Sequence, residues 1–193
     1  GYSKGYGGLP IPDFFVRKDP NSDNYAVAML SSMESDGDKR IEIFWYGENN
    51  HEISHAYYAS PHSKYKYMEY VDMAIIGKEM VSVLVKAYNT KSSGGEETEL
   101  LLGKLSFGSK EITASGLEFS KNMVIKGGII RYNKVTKRII LLGVVREPGK
   151  NDGYIPYLAY VNPVDHKVEF TSVAYPGQAN EKSLELFGRK RPY

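Results

Sequence analysis

The chain has no cysteine. That excludes a disulfide framework and any thiolate metal site, and it leaves the compartment open. No apolar run approaches the ~20 residues of a membrane helix, so a helical span is excluded too. Charge of one sign is scarce: 25 Lys and Arg stand against 23 Asp and Glu, a formal net charge of +2. No basic stripe with interleaved aromatics runs along any segment, which argues against nucleic acid as a partner. The one basic cluster, Gly188-Arg189-Lys190-Arg191, is a short run of the kind ordinarily solvated. Helix signals are sparse, with helix-favouring composition only at residues 180–186. No secretory signal is visible at the start. The opening Gly1-Tyr2-Ser3-Lys4-Gly5-Tyr6-Gly7-Gly8 lacks a leading Met and reads as a processed or trimmed chain, or a segment of a longer one.

What the chain does have is tyrosine: 16 Tyr against 7 Phe and 1 Trp. Tyr suits pleated, half-buried surfaces with one wet end, and also surfaces that stack on sugars or partners. A chain of 193 residues can bury one good core, or at most two small ones.

Residues 1–23, rich in Gly, Pro and Asp, read as an irregular arm in which only Phe14-Phe15-Val16 suggests a strand. A rhythm follows. Strand-like runs fall at 25–30, 40–46, 53–59 and 64–67, then at 71–76, 80–88, 99–105 and 110–114, then at 128–132, 138–145, 154–161 and 167–174. Val27 aligns with Met73, 46 residues on, and Met73 with Ile129, 56 residues on. Tyr65, Glu111 and Val168 keep nearly the same offsets at the far end of each unit. Within runs the period is two: Ile41, Ile43 and Trp45 alternate with Arg40, Glu42 and Phe44, and Val81, Val83, Val85 and Ala87 alternate with Ser82, Leu84 and Lys86. The run Ile139-Ile140-Leu141-Leu142-Gly143-Val144-Val145 is apolar on both sides, as a strand between two neighbouring sheets should be. Hairpin-type turns are expected at 47–50, 92–95 and 148–153, with a tight turn at Asn162-Pro163-Val164-Asp165.

Units of roughly 45–55 residues with four short antiparallel strands resemble the blades of a β-propeller. The resemblance covers residues 24–177 and rests on strand number and spacing, leaving 178–193 as a polar, basic tail. Ser35-Asp36-Gly37-Asp38 is similar to the Asp-box of sialidase-like propellers, but it lacks the trailing Thr-Trp and falls between the first and second strands of its unit. The texture resembles propeller proteins of bacterial envelopes, which implies an extracytoplasmic setting. The expected fold is all-β: consecutive four-stranded antiparallel meanders, about three blades. Closed propellers have four to eight, so the resemblance implies a larger or oligomeric ring. A curved antiparallel sheet or β-sandwich of the same twelve strands is the rival.

The sharpest chemical motif is His51-Glu52-Ile53-Ser54-His55, an H-E-x-x-H pattern. On a helix it would place His51 and His55 together on zinc, with Glu52 activating a bound water, and so resembles zinc metallopeptidases. The repeat instead places it on the third strand of the first unit, where the two imidazoles would stand ~13 Å apart. Paired carboxylates for glycoside hydrolysis could come from Asp72, Glu42, Glu69 or Asp165, with Asp72 at the start of an inner strand first among them. Arg131, on the inner strand of the third unit, could meet an anion or pair with a neighbouring acid. Gly127-Gly128 would cradle phosphate only if a helix followed. Asp36 and Asp38 are too few for a calcium loop. The first reading is a non-enzymatic interaction or structural module without a cofactor, partnered by another protein or by further blades from the same or a second chain. The alternative is a carbohydrate-binding or carbohydrate-active propeller stacking sugars on Trp45, Tyr57, Tyr58 or Tyr88. The zinc peptidase is the second alternative.

Overall fold

A computed structural model of the protein describes residues 13–31, 34–89, 98–120, 123–146 and 155–173. The turns expected at 92–95 and 148–153 and the features expected beyond 177 lie outside them. The described residues form twelve strands in three four-stranded antiparallel meanders, one after another along the chain. The first sheet holds β1 (Asp13–Lys18), β2 (Tyr25–Leu30), β3 (Ile41–Tyr46) and β4 (Glu52–Tyr57). The second holds β5 (Tyr67–Ile76), β6 (Met80–Tyr88), β7 (Glu99–Ser106) and β8 (Ile112–Gly116). The third holds β9 (Val124–Asn133), β10 (Arg138–Arg146), β11 (Ile155–Val161) and β12 (Val168–Val173). Helical structure among the described residues is confined to single 3₁₀ turns of three residues.

The second and third sheets follow the repeat read from the sequence. The first is displaced by one strand. Residues 64–67 do not close it. Tyr65 N–H is instead held by Ser60 Oγ at 2.9 Å, and Tyr67 opens β5, which runs through a bulge between Tyr70 and Asp72. The first sheet takes its remaining strand from β1, paired with β2 from Asp13↔Leu30 to Lys18↔Tyr25. Residues 64–66 join no ladder and Tyr67 joins that of the second sheet, whereas Phe14-Phe15-Val16 found a partner in β2.

The sheets stack in sequence, with the second in the middle. One side of the second sheet, including Met73, Ile75, Val81, Val83 and Val85, packs on Ala26, Ala28, Ile43, Trp45 and Ala56 of the first. Its other side, including Ala74, Ile76, Met80, Leu84 and Leu102, packs on Ile130, Ile139, Leu141, Tyr157 and Ala159 of the third. Strict alternation therefore sends successive residues of β6 into two different cores. Close packing also explains a glycine. A Cβ on Gly103 would lie 2.4 Å from Tyr58 Cε2 and 2.7 Å from Ile112 Cγ2, so only glycine lets the fully buried Tyr58 ring lie on β7.

The two end faces of the stack are different. In the first sheet, register places Phe14 and Val16 beside Met29 and Val27, and these beside Glu42 and Phe44. This is the side away from the second sheet. Phe14 is 64% exposed, and Val16 and Met29 are exposed as well. Rings form a ladder across it: Tyr25 stacks on Tyr46 at 5.1 Å, and Phe44 stacks on His55 at 5.4 Å. In the third sheet the far side carries Ile129, Leu142 and Leu158 in one row, and Arg131, Ile140, Tyr160 and Phe170 in the next. Leu142 is 44% exposed, and Ile129, Val144, Tyr160 and Phe170 are exposed with it. The double-sided apolar run in β10 thus has a described neighbour on one side only.

Candidate functional site

The inner strands of the three sheets, β1, β5 and β9, meet at one buried carboxylate. Asp72 sits in an apolar run on β5 and is 1% exposed. A charge there must be paired and hydrogen-bonded to be tolerated. Arg17 of β1 donates to Oδ1 through Nε at 3.0 Å and Nη2 at 2.6 Å. Arg131 of β9 donates to Oδ2 through Nη1 at 2.8 Å, and Ile130 N–H donates to the same oxygen at 2.9 Å. Both carboxylate oxygens are therefore doubly engaged, and one side chain ties three sheets together. The hydrogen bond to Asp72 raises the Arg17 pKa above its ordinary value. Sequence reading singled out Asp72 and Arg131, and the structure brings them into contact. It gave no sign of Arg17, which lies in the stretch read as an irregular arm. Its signal was faint: one basic residue two places from Phe15, on the side of β1 that turns inward, where Phe15 stacks on Tyr70 at 5.0 Å.

A cavity of about 320 Å³ opens beside this clasp, lined by Arg17, Lys18, Asn21, Arg131 and Tyr132 among others. The β1–β2 loop that walls it is braced. The buried Asp19 accepts from Asn21 N–H at 3.0 Å and Ser22 Oγ–H at 2.5 Å, and Asn24 Nδ2 donates to Gly77 O at 2.8 Å.

The H-E-x-x-H residues lie at the other edge of the first sheet, on the fourth strand rather than the third. His51 precedes β4, with Nδ1 2.6 Å from Glu48 O, and His55 Nδ1 is 2.7 Å from Glu52 Oε1. The strand denies these side chains the one-turn spacing that zinc chemistry needs. No group of three or more potential metal ligands occurs among the described residues. Of the four aromatics considered as sugar platforms, Trp45 and Tyr58 are fully buried core residues. Tyr57 is 45% exposed on the open face of the first sheet. Tyr88 stacks on Tyr67 at 5.4 Å and donates its hydroxyl to Glu69 at 2.5 Å.

Of the remaining candidate acids, Glu42 lies between Met29 and Tyr57 on the open face of the first sheet, and Glu69 and Asp165 are engaged separately. Glu69 pairs with Lys86 at 2.6 Å, and Asp165 accepts from Lys167 N–H at 2.9 Å. Asp36 and Asp38 hold backbone, accepting from Asp38 N–H at 3.1 Å and Ser60 N–H at 2.8 Å. Gly127-Gly128 lies within β9, with no helix after it. Glu99 was not foreseen. It is buried on β7, bound by Lys64 Nζ at 3.0 Å and by the Tyr65 hydroxyl.

His166, in the β11–β12 turn, ties the third sheet to the second: its Nδ1 lies 2.7 Å from Ser115 Oγ of β8. Burial, aided by Lys104 and opposed by Asp165, lowers its pKa from 6.5 to about 4. The unfolded chain therefore binds a proton here that the folded chain refuses. This contribution to stability is complete above the unfolded value and is lost as pH falls toward about 4. Denaturant titrations should show a loss of about 2–3 kcal/mol from this group over that window. The His166→Gln variant should lose that part of the pH dependence; an unchanged slope in the variant would contradict the assignment.

No helix among the described residues is long and apolar enough to cross a membrane. No protein-family model matches the chain, and no curated protein or solved structure matches it.

Proposed function

We propose that this chain is a non-enzymatic structural and interaction module whose three sheets act as blades of a larger β-propeller. The observation that carries the reading is the pair of apolar end faces. Each internal interface sets the side of one meander against the side of the next, and among the described residues the stack ends with one unmatched side at either end. An exposed apolar sheet face marks an interaction surface, and sheets pack face to face at ~10 Å. Further four-stranded sheets continue the stack on both sides, and four to eight blades close a ring. The short outer strands, β4, β8 and β12, suit the rim of such a ring.

Sedimentation equilibrium with a hydrophobic-dye titration tests this. The expected result is either an assembly heavier than 21.7 kDa or a monomer that binds dye strongly. A monodisperse monomer that ignores the dye would refute it.

A further inference from the structure

We propose that the cavity between β1, β5 and β9 binds a small oxyanion, a carboxylate or phosphate carried by a small molecule, through Arg17 and Arg131. Such a site is complete within this chain, with or without ring formation. Three observations support it. The first is charge. Two guanidiniums converge on one carboxylate, which leaves the cluster a positive charge in excess. Lys18 also lines the cavity, though it reaches Asp23 at 3.1 Å, and among the described residues no acidic side chain lines it.

The second is donor capacity. Arg17 commits Nε and Nη2 to Asp72, and Arg131 commits Nη1 to Asp72 and to Ile130 O. Arg17 Nη1 and Arg131 Nε and Nη2 have no partner among the described residues. Both side chains remain partly exposed, 42% and 53% respectively, so these donors can be reached. Guanidinium forks match oxyanions in geometry as well as charge.

The third is preorganisation. Asp72 fixes both guanidiniums, and the bonds of Asp19 and Asn24 brace the loop that contributes Asn21 to the cavity lining. A ligand then meets cations already immobilised, and little side-chain entropy is lost on binding. The volume, about 320 Å³, suits a compact metabolite and is too small for a polymer.

The test is calorimetric titration of the folded protein with inorganic phosphate and with succinate, at an ionic strength of about 10–30 mM where screening is weak. Saturable binding of at least one anion is expected. Arg131→Gln should weaken it at least tenfold. Asp72→Asn, which leaves one acceptor oxygen in place of two and sets an amide NH2 against the donors that held the other, should release a guanidinium from the clasp and weaken binding several-fold. Near-ultraviolet circular dichroism would confirm that each variant is folded. Absence of saturable binding in the wild type would overturn the proposal. So would equal binding by Arg131→Gln. A response to succinate alone or phosphate alone would assign the ligand's headgroup.

Discussion

Replacing both Arg17 and Arg131 with glutamine is expected to destabilise the protein by about 3–5 kcal/mol, the cost of stranding a buried charge. Asp72→Asn is expected to cost only about 1–2 kcal/mol. The asymmetry follows from burial. Asp72 is 1% exposed, so without its guanidiniums the carboxylate keeps only Ile130 N–H as a strong donor. The arginines are partly exposed and can turn to water when the carboxylate charge is removed. Breaking the clasp from the basic side therefore leaves the worse orphan. Denaturant melts of the two variants check the order, and an Asp72→Asn loss equal to or larger than the double variant's would show that the carboxylate is not the group needing protection. Because β1, β5 and β9 belong to three different sheets, the double variant should also loosen their docking, seen as faster amide exchange in β1, which has only β2 beside it in its sheet.

Leu142→Asp should dissociate the assembly while leaving the individual chain folded. Leu142 projects from β10 on the open side of the third sheet and is 44% exposed, with no sheet facing it among the described residues. A surface substitution of that kind costs a lone chain about 0.5 kcal/mol or less. In an interface between sheets the same aspartate is a desolvated, unpaired charge. It should weaken association at least a hundredfold, roughly 2.7 kcal/mol or more. Phe44→Asp on the opposite end face should act alike, since each joint uses one side of either kind. Val135→Asp is the control: Val135 is 92% exposed in the β9–β10 turn, off both end faces, and its replacement should leave the mass unchanged.

Much of this was legible from period-two alternation. The alternating sets Ile41, Ile43, Trp45 and Val81, Val83, Val85, with the two-sided run of β10, announced strands stacked in layers, and each strand of the second and third sheets lies within a few residues of its expected place. The first sheet was misframed because its missing strand lies in a Gly- and Pro-rich stretch, where Asp13–Lys18 is ordered by pairing with β2 rather than by its own composition. The strand-like alternation at 64–67 misled for the opposite reason: its backbone bonds to Ser60, to Asn89 and, at Tyr67, to the second sheet, not to the first.

The candidate site divides the same way. Asp72 was conspicuous as an acid at the start of an inner strand, and Arg131 as a cation on another inner strand. Arg17 was not, because its significance depends on a partner 55 residues away. Trp45 and Tyr58 looked like surface aromatics only because composition does not say which side of a strand faces a neighbour. One-residue alternation decided it, burying Trp45 and leaving Phe44 and Tyr46 on the open side.

Residue-resolved hydroxyl-radical footprinting of the protein in its assembled state tests the central claim most directly. Phe44, Tyr46, Leu142 and Tyr160 should be protected nearly as well as the fully buried Trp45, while Phe107, at 63% exposure, is oxidised freely. If Phe44 and Leu142 are oxidised as readily as Phe107 under those conditions, nothing covers the two end faces, and the account of this chain as an incomplete stack is wrong.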